Sequence, residues 1–451
     1  MNTHISSGFR LPALLLLGIQ ILWSQPQIPA AATALADWGI SSPAEVRFGV
    51  LNVIHDPGGD RLTVNTLLTE SPARLSLAAS SATTRAPSAR ALIRPTPPSR
   101  ATWVWNTDSL LANPGERARM LSTIESGHFS EVYLQVPRSF LDDSARDTEL
   151  RDLVRNLTTR GASVYALSGD PEFTLLRNYS VVERTIHRVI SCNRTATADS
   201  RFAGFHLDAE PYLLPGFGGP RRNWILNQYL TVTERAARLC HSNDLRFGTD
   251  IPFWFNLPDE FTGAVDSIAY NGTTKLVNEF VTDWADEICV MSYRTAALGT
   301  NGIVSVSLGE LAYAEEEGKT VFVGLETGDV PDEDHYYFGG TPATDTTMLG
   351  MSERVVVMGV SGDSAEVCLV SRPEACALAR SRDAAGDSAR ALFFWEVVNS
   401  SHISSLNLSF VNLGKKELER TISTVIRQLS GYSSFGGVAI HHAGSFAELP
   451  E

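Results

Sequence analysis

Residues 201–212 read R-F-A-G-F-H-L-D-A-E-P-Y. Its first half is short and apolar, as is typical of a buried strand. His206, Asp208 and Glu210 stand at alternate positions, and alternate side chains of a strand share one face. Pro211 has no backbone N–H to donate, so we expect the strand to end there. The stretch therefore predicts a buried strand that ends on two inward-facing acids.

From residue 101 onward, short apolar segments alternate with longer segments of helical pattern. The predicted strands are 101–106, 131–137, 161–170, 202–211, 245–254, 287–294, 320–327 and 437–446. The predicted helices are 114–126, 145–160, 181–192, 223–242, 273–285, 306–317 and 415–429. Such alternation predicts parallel strand–helix–strand units, and eight repeats favour a (β/α)8 TIM barrel over an open doubly wound sheet.

Two segments do not follow this alternation. Residues 328–414, between strands seven and eight, predict a β-rich insertion with strands at 354–360, 366–370, 391–398 and 403–411. Residues 37–100 predict a β-hairpin, formed by 46–54 and 62–68, and then a linker rich in Ser, Ala, Arg and Pro. The barrel itself is predicted over 101–327 and 415–451, with the last helix and strand in the second range.

The N-terminal 36 residues resemble an export signal. Arg10 precedes an apolar run over 11–23, and Ala34-Leu35-Ala36 matches a cleavage site of the A-x-A type. We expect a secreted or periplasmic protein with no stable membrane span after cleavage; the alternative is an uncleaved anchor in the cell envelope. The net charge of −14 argues against a nucleic-acid partner, because phosphate binding needs clustered Lys and Arg.

Five cysteines in an exported chain are compatible with disulfide bonds. Cys368 and Cys376 flank a proline-containing turn and could close a hairpin. Cys192 and Cys240 each follow a helical segment and could be neighbours, whereas Cys289 reads as a buried thiol within a strand. No Cys or His cluster has metal-binding spacing, and we predict neither a metal nor a cofactor.

Acids at the carboxyl ends of barrel strands point to chemistry, because active sites of TIM barrels lie at that end. Two close carboxyl groups push their pKa values apart, so Asp208 would favour a protonated Glu210 that serves as a general acid. The alternative is a structural polar network in the barrel core. Glu326, at the end of strand seven, could be a nucleophile, a sugar ligand or the partner of an arginine. Tyr293, at the end of strand six, could stabilise the reacting sugar.

Further candidates for substrate binding stand near the same strand ends. Flat aromatic side chains are common platforms for sugars, although each one alone is more often part of the core. A lone histidine is likewise more often structural, so His441 and His442 rank low. The predicted substrate-binding residues are His206, Asp250, Trp105, Tyr212, Trp254, Arg294 and Trp395.

The F-A-G-F-H-L-D-A-E segment of strand four resembles the D-G-x-D-x-D-x-E signature of family 18 glycoside hydrolases, the chitinase-like barrels. V-M-S-Y-R on strand six resembles their M-x-Y-D motif. The resemblance implies that Glu210 is the acid, and that Asp208 and Tyr293 hold the substrate. The chain departs from these motifs at Ala203, His206 and Arg294, each of which replaces an acid.

A second resemblance concerns the dipeptide Glu210-Pro211. It is similar to the N-E-P motif of the large clan of retaining barrels, whose nucleophile is a Glu on strand seven; this implies Glu326 as nucleophile. Ala209 replaces the Asn of that motif.

The sequence thus predicts a glycoside hydrolase-like TIM barrel that acts on a polysaccharide or glycan. One alternative is a catalytically inactive carbohydrate-binding barrel, which the missing acids favour. Another is a hydrolase of a different substrate class that binds a metal through Asp208, Glu210, Asp250 and His206.

Overall fold

The computed structural model describes residues 28–29, 33–34, 42, 46, 48–55, 62–70, 98–137, 140, 146–214, 217, 221–256, 267–361, 364–385 and 391–451. Eight parallel strands in these ranges close into a barrel, which confirms the predicted (β/α)8 fold. Numbered one to eight in chain order, they are Ser99–Val104, Glu131–Gln135, Ser163–Gly169, Gly204–Asp208, Arg246–Pro252, Glu287–Met291, Thr320–Glu326 and Phe435–His441.

Helices connect the strands and cover the barrel. They are Thr107–Ala112, Pro114–Ser126, Arg146–Thr158, Tyr179–Thr195, Arg222–His241, Val277–Trp284, Ile303–Glu317, Gly414–Leu429 and, after strand eight, Ala443–Glu448. The helix Gly414–Leu429 is an example of their amphipathic pattern. Its buried residues on one face include Leu418, Ile422, Val425 and Leu429. Burying each such side chain stabilises the fold by about 1.5–3 kcal/mol.

The predicted helix 273–285 is wrong in its first four residues. Ser267–Tyr270 and Thr273–Leu276 pair as an antiparallel hairpin, and the helix begins only at Val277. Asn271 and Gly272, which connect the two strands, both have positive φ. An Asn-Gly pair in this conformation favours the tight turn of a hairpin, and this local signal outweighs the helical pattern.

The insertion and the N-terminal hairpin form one sheet. Its strands are Ile28–Pro29, Thr33–Ala34, Phe48–His55, Leu62–Glu70, Glu333–Ala343, Arg354–Ser361, Ser364–Ser371 and Ala391–Ile403. Phe48–His55 pairs with Glu333–Ala343, a strand that the sequence did not predict. The predicted strand 403–411 is wrong, because residues 405–407 form a short 3-10 turn.

Two short strands of this sheet lie within the predicted export signal. Ile28–Pro29 and Thr33–Ala34 both pair with Ser364–Ser371. The rest of the predicted signal lies outside the described residues, as does most of the predicted linker 71–100. Among the residues that the structure describes, no helix is long and apolar enough to cross a membrane.

The predicted disulfides are absent, since none of the five cysteines forms one. The segment between Cys368 and Cys376 is not a hairpin turn, because a helix, Arg372–Ala385, begins there. Proline is favoured in the first turn of a helix, so Pro373 starts this helix instead of turning the chain. The side chain of Glu374 accepts a hydrogen bond from the backbone N–H of Ser371, which caps the same turn.

A second group of acids lies at the opposite, amino-terminal end of the barrel. Glu287, at the start of strand six, is buried and accepts hydrogen bonds from the Tyr165 hydroxyl at 2.7 Å and from Arg246 at 3.1 Å. Glu131 lies beside it, and burial, followed by the charge of Glu287, raises the pKa of Glu131 to about 10. This end of a barrel usually serves stability.

Candidate active site

Three carboxyl groups gather at the carboxyl end of the barrel. Strand four ends at Asp208, Glu210 follows two residues later, and Asp250 lies on the adjacent strand five. The backbone N–H of Asp170, at the end of strand three, donates to the Asp208 carbonyl at 3.1 Å, which ties the ends of strands three and four together. The structure thus brings together three of the acids that the sequence predicts.

Burial changes the acidity of two of these groups. The pKa of Asp208 is raised well above its ordinary value, first by burial and then by the charges of Asp250 and Glu210. Burial also raises the pKa of Glu210, although a hydrogen bond from Tyr212 opposes the rise. Removing charged carboxylates from water favours their protonated forms, so the site retains protons to a higher pH than isolated carboxyls would.

Asp208 also has an unused polar atom. Its Oδ1 is buried and has no hydrogen-bond partner among the described residues. Because buried polar atoms are normally paired, an unpaired one at a site of this kind is suited to a substrate or water. Asp208 is thus both protonated easily and open to a further contact.

His206 lies below the acids and is fully buried, with 0% of its surface exposed. It stacks on Tyr133 with ring centroids 3.9 Å apart. Its Nε2 lies 3.0 Å from Asp250 Oδ2, close but not aligned as a hydrogen bond, and the same oxygen accepts from Trp103 Nε1 at 3.1 Å. The predicted contact of His206 with substrate is therefore wrong, and Asp250, 2% exposed, likewise acts on the site from beneath it.

Tyr212 and Trp254 line one side of the acids. The Tyr212 hydroxyl donates to Glu210 Oε1 and lies 3.9 Å from Met291 Sδ. Trp254 meets the Tyr212 ring edge-on, with centroids 5.3 Å apart. Both rings are half-buried, and the expected contact of Tyr212 and Trp254 with a substrate stays a prediction.

Tyr293 and Arg294 follow strand six. Burial, and then the charge of Glu326, raise the pKa of Tyr293 well above its ordinary value, so the hydroxyl stays neutral. The guanidinium of Arg294 lies over the ring of Phe253 at 4.6 Å and donates to Asn301 Oδ1 at 3.1 Å. These contacts hold Arg294 between the segments that follow strands five and six, and burial lowers its pKa.

Glu326 is buried, with 5% exposed, and both of its carboxylate oxygens are hydrogen-bonded. Oε1 accepts from the backbone N–H groups of Thr327 and Gly328, while Oε2 lies 2.8 Å from His441 Nδ1. His441 Nε2 in turn lies 3.2 Å from Nε1 of Trp105. Trp105 thus lies among the site residues, although its polar atom is directed at a histidine.

The low rank given to His441 missed this connection. Strands seven and eight pair in a register that sets Glu326 beside His441. The only signal in the sequence was that both residues end a barrel strand.

Trp395 is the clearest misplacement. It lies on the strand Ala391–Ile403, is 1% exposed, and donates from Nε1 to the carbonyl of Val46 at 3.3 Å. Its ring packs in the hydrophobic core of the sheet that the insertion and the N-terminal hairpin form, called the second sheet below. A fully buried indole offers no face to a substrate, so its predicted role as a sugar platform is wrong.

Within the described ranges, no group of three His, Cys, Asp or Glu side chains is arranged to hold a metal ion. Among the described residues, the site combines carboxyl groups of raised pKa, a tyrosine donor and aromatic surfaces.

Comparison with known proteins gives only weak similarities. No known sequence family matches the chain, and no characterised protein of similar sequence was found. Its structure is similar to a chitinase from Chromobacterium violaceum, with 14% identity, 78% of this chain and 97% of that chain covered, and a TM-score of 0.38.

Two further similar structures come from a plant and a spore-forming bacterium. A GH18 chitinase from Cycas revoluta in complex with (GlcNAc)3 shares 10% identity, covers 78% of this chain and 96% of that one, and has a TM-score of 0.38. The spore cortex-lytic enzyme of Bacillus megaterium shares 12% identity, covers 78% and 72%, and has a TM-score of 0.37. Similarities this weak carry no functional argument, and the fold itself rests on the closed eight-stranded barrel.

Proposed function

We propose that the protein is a glycoside hydrolase in which Glu210 is the general acid. The observation that carries this proposal is the raised pKa of Glu210 at the carboxyl end of the barrel, beside Asp208 and Asp250. A general acid works best when its pKa lies near the working pH, and burial moves a carboxyl in that direction. Glu210 would donate its proton to the oxygen of the glycosidic bond as the bond between that oxygen and the anomeric carbon breaks. Water would then add to the anomeric carbon and return a proton to the Glu210 carboxylate.

Asp208 would hold the substrate or the attacking water. Its Oδ1 is buried without a partner, and its own raised pKa allows it to donate a hydrogen bond as well as accept one. The neutral hydroxyl of Tyr293 would supply a further donor to the reacting sugar.

Glu326 is poorly suited to be the nucleophile. Its two oxygens already accept two backbone N–H groups and face His441, and an attack would require it to give up these contacts. We therefore assign Glu326 a supporting role in the proposed mechanism.

A carbohydrate-binding barrel without catalysis is the second candidate. It is favoured by His206, Ala203 and Arg294, which stand where the resembled family has acids. This candidate predicts that glycans bind but are not cleaved, and that Glu210→Gln leaves binding unchanged.

Hydrolysis and binding should be measured together on a panel of polysaccharides and oligosaccharides. We expect cleavage by the wild type and a loss of about 10²- to 10⁴-fold in kcat/KM in Glu210→Gln. Glu316→Gln, on the exposed face of the helix Ile303–Glu317, is the matched control and should retain full activity. Binding without cleavage by the wild type would establish the second candidate.

We also propose that the protein is exported. Sequencing the N-terminus of the protein recovered from culture fluid and from cells tests this. A mature chain that begins at Asp37 supports cleavage, and a full-length chain confined to the cells contradicts it.

A further inference from the structure

Glu326 is held so firmly that only one of its oxygens faces the site. Oε1 accepts from Thr327 N at 2.8 Å and from Gly328 N at 2.6 Å, which fixes the carboxylate plane. Oε2 is left to face His441 Nδ1 at 2.8 Å. A buried carboxylate in this position orients a histidine and selects its tautomer.

The indole of Trp105 identifies that tautomer. An indole Nε1–H can only donate, so His441 Nε2, 3.2 Å away, must accept. The proton of the neutral ring therefore sits on Nδ1 and is donated to Glu326. In this series each donor meets an acceptor: His441 Nδ1–H donates to Glu326 Oε2, and Trp105 Nε1–H donates to His441 Nε2.

This chain places the far end of the Trp105 ring beside the proposed catalytic acids. A Cβ atom at Gly169 would lie 3.1 Å from Trp105 Cη2 and 3.1 Å from Asp208 Cβ, so the absence of a side chain there makes room for both. The indole thus reaches from strand eight, where its N–H is bound, to the ends of strands three and four. It remains half-buried, which leaves part of the ring accessible.

We propose that Glu326 and His441 are positioning residues that fix the Trp105 indole beside Asp208, as the surface on which a sugar ring packs. This inference rests on the proposed function for the identity of the ligand, but the hydrogen-bond chain itself does not. In this proposal Glu326 is not the nucleophile; it acts on the substrate indirectly, by orienting His441 and through it Trp105.

The same geometry makes the position of Trp105 sensitive to pH. If His441 gains a second proton, Nε2–H faces the indole N–H and the hydrogen bond between them is lost. Charged and titratable groups that face the ring are Glu326 on strand seven, Asp250 on strand five, Glu210 after strand four, Tyr293 after strand six and the adjacent His442. Burial lowers the pKa of His441, but Glu326, Asp250 and Glu210 outweigh it and raise the value overall.

Glu326→Gln tests the proposal without changing the shape of the side chain. The amide oxygen would stay with the two backbone N–H groups, so its NH₂ would face His441 Nδ1. His441 would then carry its proton on Nε2, toward Trp105, and the hydrogen bond to the indole would break. Glu333→Gln is a matched control, since Glu333 contacts His335 at 3.1 Å in the second sheet.

The readout is NMR of protein labelled with ¹⁵N in histidine and in the tryptophan indole, with Trp105→Phe used to assign the Trp105 signal. In the wild type we expect His441 protonated on Nδ1, and a Trp105 N–H signal that titrates with a midpoint above the ordinary histidine value of about 6.5. In Glu326→Gln we expect the tautomer to reverse and the Trp105 signal to shift at all pH values; Glu333→Gln should match the wild type.

A wild-type His441 that carries its proton on Nε2 would overturn the proposal, even if no variant folded. So would a Trp105 signal that neither titrates nor responds to Glu326→Gln. These spectra need no substrate, so they remain informative if the glycosidase proposal fails. For a glycan that the wild type cleaves, we expect about a tenfold higher KM in Glu326→Gln, equivalent to one lost hydrogen bond. An unchanged KM would show that the hydrogen bonds from Glu326 through His441 to Trp105 do not contribute to sugar binding.

Discussion

The hydroxyl of Tyr212 donates a hydrogen bond to the carboxyl of Glu210, two residues earlier in the chain. A tyrosine so placed stabilises the ionised carboxylate and lowers its pKa, whereas the burial of Glu210 raises it. The charge of Asp250 raises the pKa of Glu210 further and that of His441 lowers it. The acidity of Glu210 is therefore a balance of opposing effects, and single substitutions should move it in either direction.

Tyr212→Phe removes the group that lowers the pKa of Glu210. A general acid must be protonated, so activity falls as pH rises through its pKa. We expect the alkaline limb of the kcat/KM profile to move to higher pH in this variant. Tyr432→Phe, after the helix Gly414–Leu429, is the control and should keep the wild-type limb. A limb that moves to lower pH would show that Tyr212 does not stabilise the carboxylate.

Asp250→Asn should move the same limb in the opposite direction. The charge of Asp250 raises the pKa of both Asp208 and Glu210, so its removal makes both groups more acidic. The asparagine oxygen can still accept the hydrogen bond from Trp103, which limits structural damage. A pH profile indistinguishable from the wild type, in a folded variant, would argue against coupling across strands four and five.

The buried pair at the other end of the barrel predicts a pH dependence of stability. The pKa of Glu131 is about 10 in the folded protein, against the ordinary 4.5. Between these values the unfolded chain has released a proton that the folded chain retains. The free energy of unfolding therefore falls as pH rises, by up to about 1.4 kcal/mol per pH unit. This decrease ends once the pH passes the pKa of Glu131 in the folded protein.

Glu131→Gln removes this titration and keeps hydrogen-bonding atoms near Tyr133 and Glu287. Urea unfolding at several pH values should show that the free energy of unfolding declines less between pH 5 and 9 than in the wild type. An equally steep decline in the variant would mean that Glu131 is ionised in the folded protein.

The cysteines provide a test of the covalent structure. All five thiols should react with a thiol reagent in denaturant without added reductant, because none forms a disulfide. In the native state Cys192, Cys240 and Cys289 are buried and should react slowly. Fewer than five reactive thiols in the freshly purified, denatured protein would reveal a disulfide that contradicts the structure.

The barrel could be predicted from the sequence because its signals are local. Each strand is a short apolar run, each helix shows its own period, and Pro211 predicts a break in the chain close to the observed end of strand four at Asp208. The same reasoning placed Asp208 and Glu210 at one end of the barrel, since alternation in a strand fixes which side chains point inward.

Features that depend on distant pairing could not be predicted in this way. The hairpin strand Phe48–His55 pairs with Glu333–Ala343 far along the chain, and nothing local indicates that partner. His441 contacts Glu326 only because of the register in which strands seven and eight pair. The prediction for Trp395 was wrong because the sequence does not distinguish an aromatic residue that lines a cleft from one that fills a core.

The proposed role of Glu210 as general acid can be tested by varying the leaving group. Wild type and Glu210→Gln should be compared on glycosides of one sugar whose aryl leaving groups range from acidic to weakly acidic phenols. An acidic phenol departs without protonation, so the variant should retain most of its activity there and lose about 10²- to 10⁴-fold on the weakly acidic ones. An equal loss on every glycoside would contradict a proton donated by Glu210 to the leaving group.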